Sequence, residues 1–384
     1  MINSLKSYFS RIFSSIRLFP EVIRLNKLSR HAALEGKTRI IIYLSIPLHL
    51  NFIRDLLQDL TNDPKFFIMV ACEFPLKNIM LPSEITIIRD KKIIGWIPAN
   101  FLLTGDAEKP VSSYPGTKVV HIPHSLASMH VIYPEDAFDY FDVIFCAGPH
   151  HMNELSSILK KRRVTNCVLV PTGYELVDRQ RRIPHISTKP PTIVFAPSWG
   201  PDNALTCHGE EIVSTLINEY NIVVRPHVMS IGMDTNVLTT LKEKYGTNPH
   251  FSLDTASDSQ ETLAKADLLI SDWSGVAFEY ALAYHRPVIF IDGPMKVFNN
   301  KWSEYSRTPG IESTFRKEIG VVLKNVSNLK TVTKSLLQES AEWEGYIRET
   351  KQKILYNPGE CAKYSHIALT LMADGKKDSK WVQI

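Results

Sequence analysis

Cysteine is scarce and scattered in this sequence. Cys72, Cys146, Cys167, Cys207 and Cys361 form no C-x-x-C pair and keep no metal-ligand spacing to histidine. That argues against structural zinc and favours a reducing compartment. Long apolar runs are missing as well, since Arg and Lys break the most apolar stretch too often for a transmembrane span or a signal-peptide core. Internal repeats and low-complexity tracts are absent. No D-x-D pair stands at a strand end, so the sequence assigns no metal ligand and no cofactor.

A strong excess of one charge is lacking too, but the net +4 of the 384 residues hides an asymmetry. Lys6, Arg11, Arg17, Arg24, Lys27 and Arg30 face only Glu21 within residues 1–30, which leaves the rest of the chain close to neutral. Basicity confined to one segment gives no nucleic-acid-binding face, and no nucleic-acid partner is expected. In that segment Ile2, Leu5, Phe9, Ile12, Phe13 and Ile16, then Phe19 and Ile23, recur at helical spacing. The pattern predicts a basic amphipathic helix over 1–36, broken at Pro20, which lies on an anionic membrane surface. The competing reading is a helix packed on the protein's own body or on a partner.

What the sequence has in quantity is alternation. From residue 39 short β-branched runs ("RIIIYLSI" at 39, "FFIMVA" at 66, "ITIIR" at 85, "KVVHIP" at 118, "DVIFCAG" at 142, "NCVLVP" at 166) are separated by longer mixed stretches, the signature of βα units on a parallel sheet. A polar, proline-rich stretch follows, and alternation restarts at "TIVFAPS" (192), "NIVVRPH" (221), "HFSLD" (250), "DLLISD" (267), "PVIFID" (287) and "IGVVL" (319). The predicted organisation is a surface helix at 1–36, a Rossmann-like domain at 37–173, a linker at 174–191, a second Rossmann-like domain at 192–353, and a helix with a tail at 354–384. Two such domains bound a cleft, and open parallel sheets bind ligands beyond the carboxyl ends of their strands.

Four strand ends are unusually polar. In "LLISDWSGVAFEYALAY" the strand gives way at once to a helix, so Ser271, Asp272, Ser274 and Gly275 form the turn and first helical residues. Unpaired N–H groups there make a phosphate site, and glycine lets a ligand approach; the plainer reading is that Asp272 and Ser274 only cap the helix. Glu279 is the one carboxylate in that apolar helix and either faces a polar cleft, accepting from ligand hydroxyls, or is simply exposed. In "VVRPH" Arg225 and His227 flank the proline that ends the strand, placed to hold a diphosphate by charge and hydrogen bonding. In "VFAPSWG" Ser198 can meet a phosphate, and Trp199 either a base or the other domain. In "VVHIPHSLASMH" Pro123 ends the strand and leaves His124 at the rim, a candidate general base.

Together these strand ends, with "VPTGYELVD" and the later "NPGECA", resemble the CDP-glycerol glycerophosphotransferase family, the teichoic-acid and capsule polymerases and primases. The likeness is densest over residues 192–292 and weaker over 118–180. It implies a GT-B fold and a peripheral position on the inner face of the cell membrane. It also implies a reaction in which an acceptor hydroxyl attacks the β-phosphorus of a CDP-activated polyol and CMP leaves. By that likeness His124 is the base, Arg225, His227, Ser271 and Ser274 bind phosphate, and Asp272 and Glu279 bind or position polar ligand groups. The acceptor would be a glycan or lipid-linked hydroxyl. The sequence departs from the family where His-Ser replaces His-Gly at 124, Trp273 a tyrosine and Gly275 a serine. The alternative is a GT-B glycosyltransferase or epimerase using a UDP-sugar.

Overall fold

The structure is a computed structural model that describes residues 2–75, 79–107, 112–256, 258, 260–306 and 309–384, with side chains from residue 18 onward. Seven apolar runs pair in parallel in the first half: β1 (Thr38–Leu44), β2 (Phe66–Cys72), β3 (Thr86–Ile88), β4 (Phe101–Thr104), β5 (Lys118–His121), β6 (Val143–Cys146) and β7 (Val168–Pro171). The second half supplies β8 (Thr192–Phe195), β9 (Asn221–Val224), β10 (Phe251–Leu253), β11 (Leu268–Ser271), β12 (Val288–Ile291) and β13 (Gly320–Leu323), ordered β10-β9-β8-β11-β12-β13. The last strand, β14 (Val382–Gln383), does not stay with the second half. It pairs antiparallel with β7, so the first sheet runs β14-β7-β6-β5-β4-β1-β2-β3 among the described residues. These are two parallel sheets flanked by helices, as the alternating pattern predicts.

Four local features differ from the sequence reading. The helix Ile2–Leu34 runs through Pro20 without stopping. A proline removes one helical hydrogen bond, and here the turns beyond it are anchored elsewhere: Val22, Leu25 and Ala32 are buried, Ser29 Oγ donates to Pro98 O at 2.5 Å, and Asn26 Nδ2 to Trp96 O at 3.0 Å. That half of the helix is therefore docked on the first sheet, while the pattern expected over residues 2–16 lies outside the described side chains. The central strand β4 was missed because "FLLT" holds a single β-branched residue.

The stretch expected as a linker opens with a buried helix, Glu175–Gln180, in which Val177 and Gln180 are fully covered. Glu175 accepts from the N–H groups of Asp55 (2.6 Å) and Leu56 (3.1 Å) and so caps the helix Arg54–Asn62 of the first domain. The expected tail returns to the first domain as well. Helix Cys361–Ala373 packs on helix Arg54–Asn62, and the Ile354 carbonyl lies so close to Gly148 that a methyl group there would sit 1.7 Å from it.

Candidate functional site

The carboxyl ends of the two sheets face each other across a cavity of about 880 Å³ whose lining includes His124, Tyr133, Asp106 and Ser45 from the first half and Trp199 and Phe298 from the second. The long connection after β12 straps the second domain to the first. Phe298 and Asn299 donate their N–H groups to Val131 O (3.1 and 3.0 Å), and the Glu312 carboxylate accepts from Ser128 N (2.9 Å) and Ser128 Oγ (2.7 Å). Glu312 is buried at this joint, and burial raises its pKa.

His124 stands where the sequence places it, just past β5. Its Nε2 lies 3.1 Å from the Tyr133 hydroxyl, and its ring centroid is 5.4 Å from that of His49. Burial, then the neighbouring His49, brings its pKa down to about 4, so the imidazole is neutral at physiological pH. Burial raises the Tyr133 phenol, which keeps its proton. Behind His124 a polar group was missed from sequence. Ser45 Oγ donates to Asp106 Oδ1 at 2.8 Å and lies 3.3 Å from His49 Nδ1, and His49 Nδ1 is 3.8 Å from Asp106. Asp106 was recoverable in principle because "FLLTGD" puts it at the carboxyl end of β4, a strand the pattern did not reveal.

Across the cleft, Ser274 occupies the N-cap of helix Gly275–Tyr284, yet its side chain caps nothing. A methyl group on Gly275 would meet Ser125 Oγ at 3.3 Å, so this helix start faces the loop that carries His124. Its N–H groups and the positive end of its dipole point at the same space.

His227 lies nearby. Its Nδ1 accepts from Met229 N at 3.2 Å, which assigns the proton to Nε2 and makes that atom a donor. Burial, then Lys296, lowers its pKa to about 4. Lys296 is a further cation the sequence reading missed. Its ammonium sits 4.4 Å from the centroid of the Trp199 ring, which stacks on Phe298, and burial lowers its pKa to about 8 while Asp272 acts against the shift. The signal was its place five residues after β12.

Other expected donor ligands are engaged elsewhere. Ser271 is fully buried and donates to Ala196 O at 2.6 Å. Asp272 accepts from Ser198 N (2.7 Å) and Ala204 N (2.9 Å), fixing the turn after β8 and the start of helix Ala204–Leu216. Arg225 donates to Asp254 Oδ2 at 2.6 Å and to Ala256 O at 2.8 Å. Glu279 is half-buried and accepts from the Tyr174 hydroxyl at 2.7 Å. These four hold together the frame on which Ser198, Ser274, Gly275 and His227 stand. Among the described residues no group of three His, Cys, Asp or Glu side chains is placed to hold a metal ion.

Two facing parallel sheets with a cationic helix start on one side and a neutral imidazole on the other define a GT-B-like, two-domain enzyme. The chain belongs to the CDP-glycerol:poly(glycerophosphate) glycerophosphotransferase family, whose sequence model matches residues 166–363. It is thus a transferase of the class that moves glycerophosphate from CDP-glycerol. No curated protein matches it in sequence. Among solved structures it is similar in fold to the wall teichoic acid polymerase TagF, including a form soaked with CDPG, at 14% identity and a TM-score of 0.57 over 96% of this chain and 98% of that one. A putative UDP-N-acetylglucosamine 2-epimerase from Listeria monocytogenes is also similar, at 12% identity and a TM-score of 0.58 over 89% and 98%. The S. aureus MnaA–UDP structure has 14% identity and a TM-score of 0.57 over 89% and 99%.

Proposed function

We propose that this chain transfers glycerol phosphate, or a similar polyol phosphate, from its CDP-activated form to a hydroxyl of a cell-surface glycan or lipid-linked acceptor and releases CMP. The observation that carries this reading is the approach of Gly275 to Ser125, which sets an anion-attracting helix start against the loop bearing a neutral histidine. Phosphate oxygens of the donor rest on the Gly275 N–H, the Ser274 and Ser198 hydroxyls, His227 Nε2–H and the Lys296 ammonium. Arg225, Ser271, Asp272 and Glu279 keep those groups in place. On the other wall the acceptor hydroxyl takes the position of the Tyr133 hydroxyl on His124 Nε2, loses its proton there and attacks the β-phosphorus. The bond to CMP breaks, and the departing oxygens are neutralised by the same donors.

The site works at the inner face of the cell membrane in this reading. The described part of the long N-terminal helix supports it: Phe19 and Ile23 are exposed beside Arg24, Lys27 and Arg30, while the opposite face is docked on the sheet. No described helix is long and apolar enough to cross a membrane.

Calorimetric titration with CDP-glycerol, CDP, UDP and a UDP-sugar tests the donor. CDP ligands should bind, and His227→Ala should weaken them without unfolding the protein. A preference for the uridine ligands would move the chain to sugar-nucleotide chemistry on the same fold.

A further inference from the structure

Helix Gly275–Tyr284 starts at the cleft and ends at a second concavity on the order of 15 Å away, its length at 1.5 Å per residue. This cavity, of about 470 Å³, lies against the crossover between the domains. Arg181, His185, His285, Arg286 and Arg348 line it, and Glu344 is the only carboxylate among its lining residues. Glu344 accepts from Arg348 Nε at 3.1 Å, and Arg286 gives one N–H to Ala266 O at 2.6 Å. The exposed Arg181 side chain makes no hydrogen bond or ion pair with any described residue. Ser340 and Ala341, the first turn of helix Ser340–Ile354, also form its wall, and no side chain caps that helix.

Lys351 adds an independent observation. It is 2% exposed, and its ammonium has no hydrogen-bond partner among the described residues. The carboxylate that offsets it, Asp178, already accepts from Gly359 N (2.6 Å) and Cys361 N (3.0 Å). Asp267 lies 3.1 Å from His185 and Glu344 holds Arg348, whereas Arg181 and Arg286 meet no carboxylate among the described residues; Lys351, outside the lining, lies close enough to His285, Arg181 and Arg348 for their charges to repel. A buried ammonium without a partner is costly unless an anion lies close by.

We propose that this pocket is a second anion site that takes a glycerophosphate-class ester, separate from the donor site. Guanidinium forks match the spacing of phosphate oxygens, and the uncapped helix start supplies N–H groups of the same polarity. A soluble glycerol phosphate and the headgroup of an anionic lipid offer the same chemistry.

Calorimetric titration of the full chain with sn-glycerol 3-phosphate, alone and as the Arg181→Ala/Arg348→Ala variant, tests the assignment. Both arginines are exposed, and melting of the variant near the wild-type temperature checks that it folds. Saturable binding is expected in the wild type and in His227→Ala, weakened tenfold or more in the double variant. Cosedimentation with phosphatidylglycerol/phosphatidylcholine vesicles then identifies the source. A loss in the double variant assigns the headgroup, whereas unchanged sedimentation assigns the soluble ester. Absence of saturable binding, or equal affinity in the double variant, overturns the proposal. Because His227→Ala perturbs only the donor side, failure here is distinguishable from failure of the donor reading.

Discussion

The Tyr174 hydroxyl, from the crossover, donates to Glu279 Oε1 at 2.7 Å, joining it to the middle of the helix whose start faces the cleft. Burial pushes the Glu279 carboxyl up to about 7, and the Tyr174 bond acts the other way. Between the ordinary value of 4.5 and about 7 the native state therefore keeps a proton that the unfolded chain has released. Stability contributed by this group is full below pH 4.5 and is lost as pH rises through 7. Glu279→Gln should melt higher than wild type at pH 8 and at the same temperature at pH 4. Melting curves that shift equally at both pH values would remove Glu279 as the titrating group.

The histidines act in the opposite direction. His124 and His227 are each lowered to about 4, first by burial. Their stabilising contribution is present above the ordinary 6.5 and is lost as pH falls toward 4. His124→Asn should therefore flatten the loss of melting temperature between pH 6.5 and 4, and an unchanged slope would show that other groups govern it.

For catalysis, His124→Ala should reduce transfer by roughly 10²–10⁴-fold, the usual contribution of a general base, while leaving the donor Kd in place. Tyr133→Phe discriminates two routes for the proton. If the acceptor displaces the phenol from Nε2, the variant keeps most of its turnover; a loss as large as that of His124→Ala would make Tyr133 a relay instead.

Lys296→Met should raise the CDP-glycerol Kd by roughly ten- to a hundredfold, since a hydrogen bond to a charged group contributes roughly 1.5–3 kcal/mol. Lys296→Arg should restore most of the affinity. Equal donor binding in the methionine variant would place Lys296 outside the site.

Gly148→Ala should destabilise the protein by roughly 1–3 kcal/mol, because its methyl would collide with the Ile354 carbonyl and force backbone to move. Denaturant unfolding measures it, and a neutral substitution would mean that the returning segment gives way freely.

The alternating runs made the two sheets legible because each buried strand is a short apolar block ended by proline, glycine or a polar residue. β4 and β14 escaped for physical reasons: "FLLT" carries a single β-branched residue, β14 is only two residues long, and the pairing of both comes from the neighbouring strands. The places of His124, Ser274 and Gly275 in the fold were legible because each sits beyond a recognisable strand end. Arg225, Ser271 and Asp272 were recognisable as unusual, but sequence does not reveal which polar group meets the ligand and which is consumed by Asp254, Ala196 or the Ser198 N–H. His49 and Asp106 come together only through the fold, from two strand ends far apart in the chain.

The antiparallel pairing of β14 with β7 also bears on how the molecule is made. Synthesis delivers β1 to β7 first, but the outer edge of their sheet stays open until the whole second domain has been translated. During that interval β7 presents unpaired peptide groups to any passing strand. A nascent chain stalled before residue 382 would therefore carry a complete second half and an adhesive first half, which makes Val382 and Gln383 the seal on the first domain to emerge.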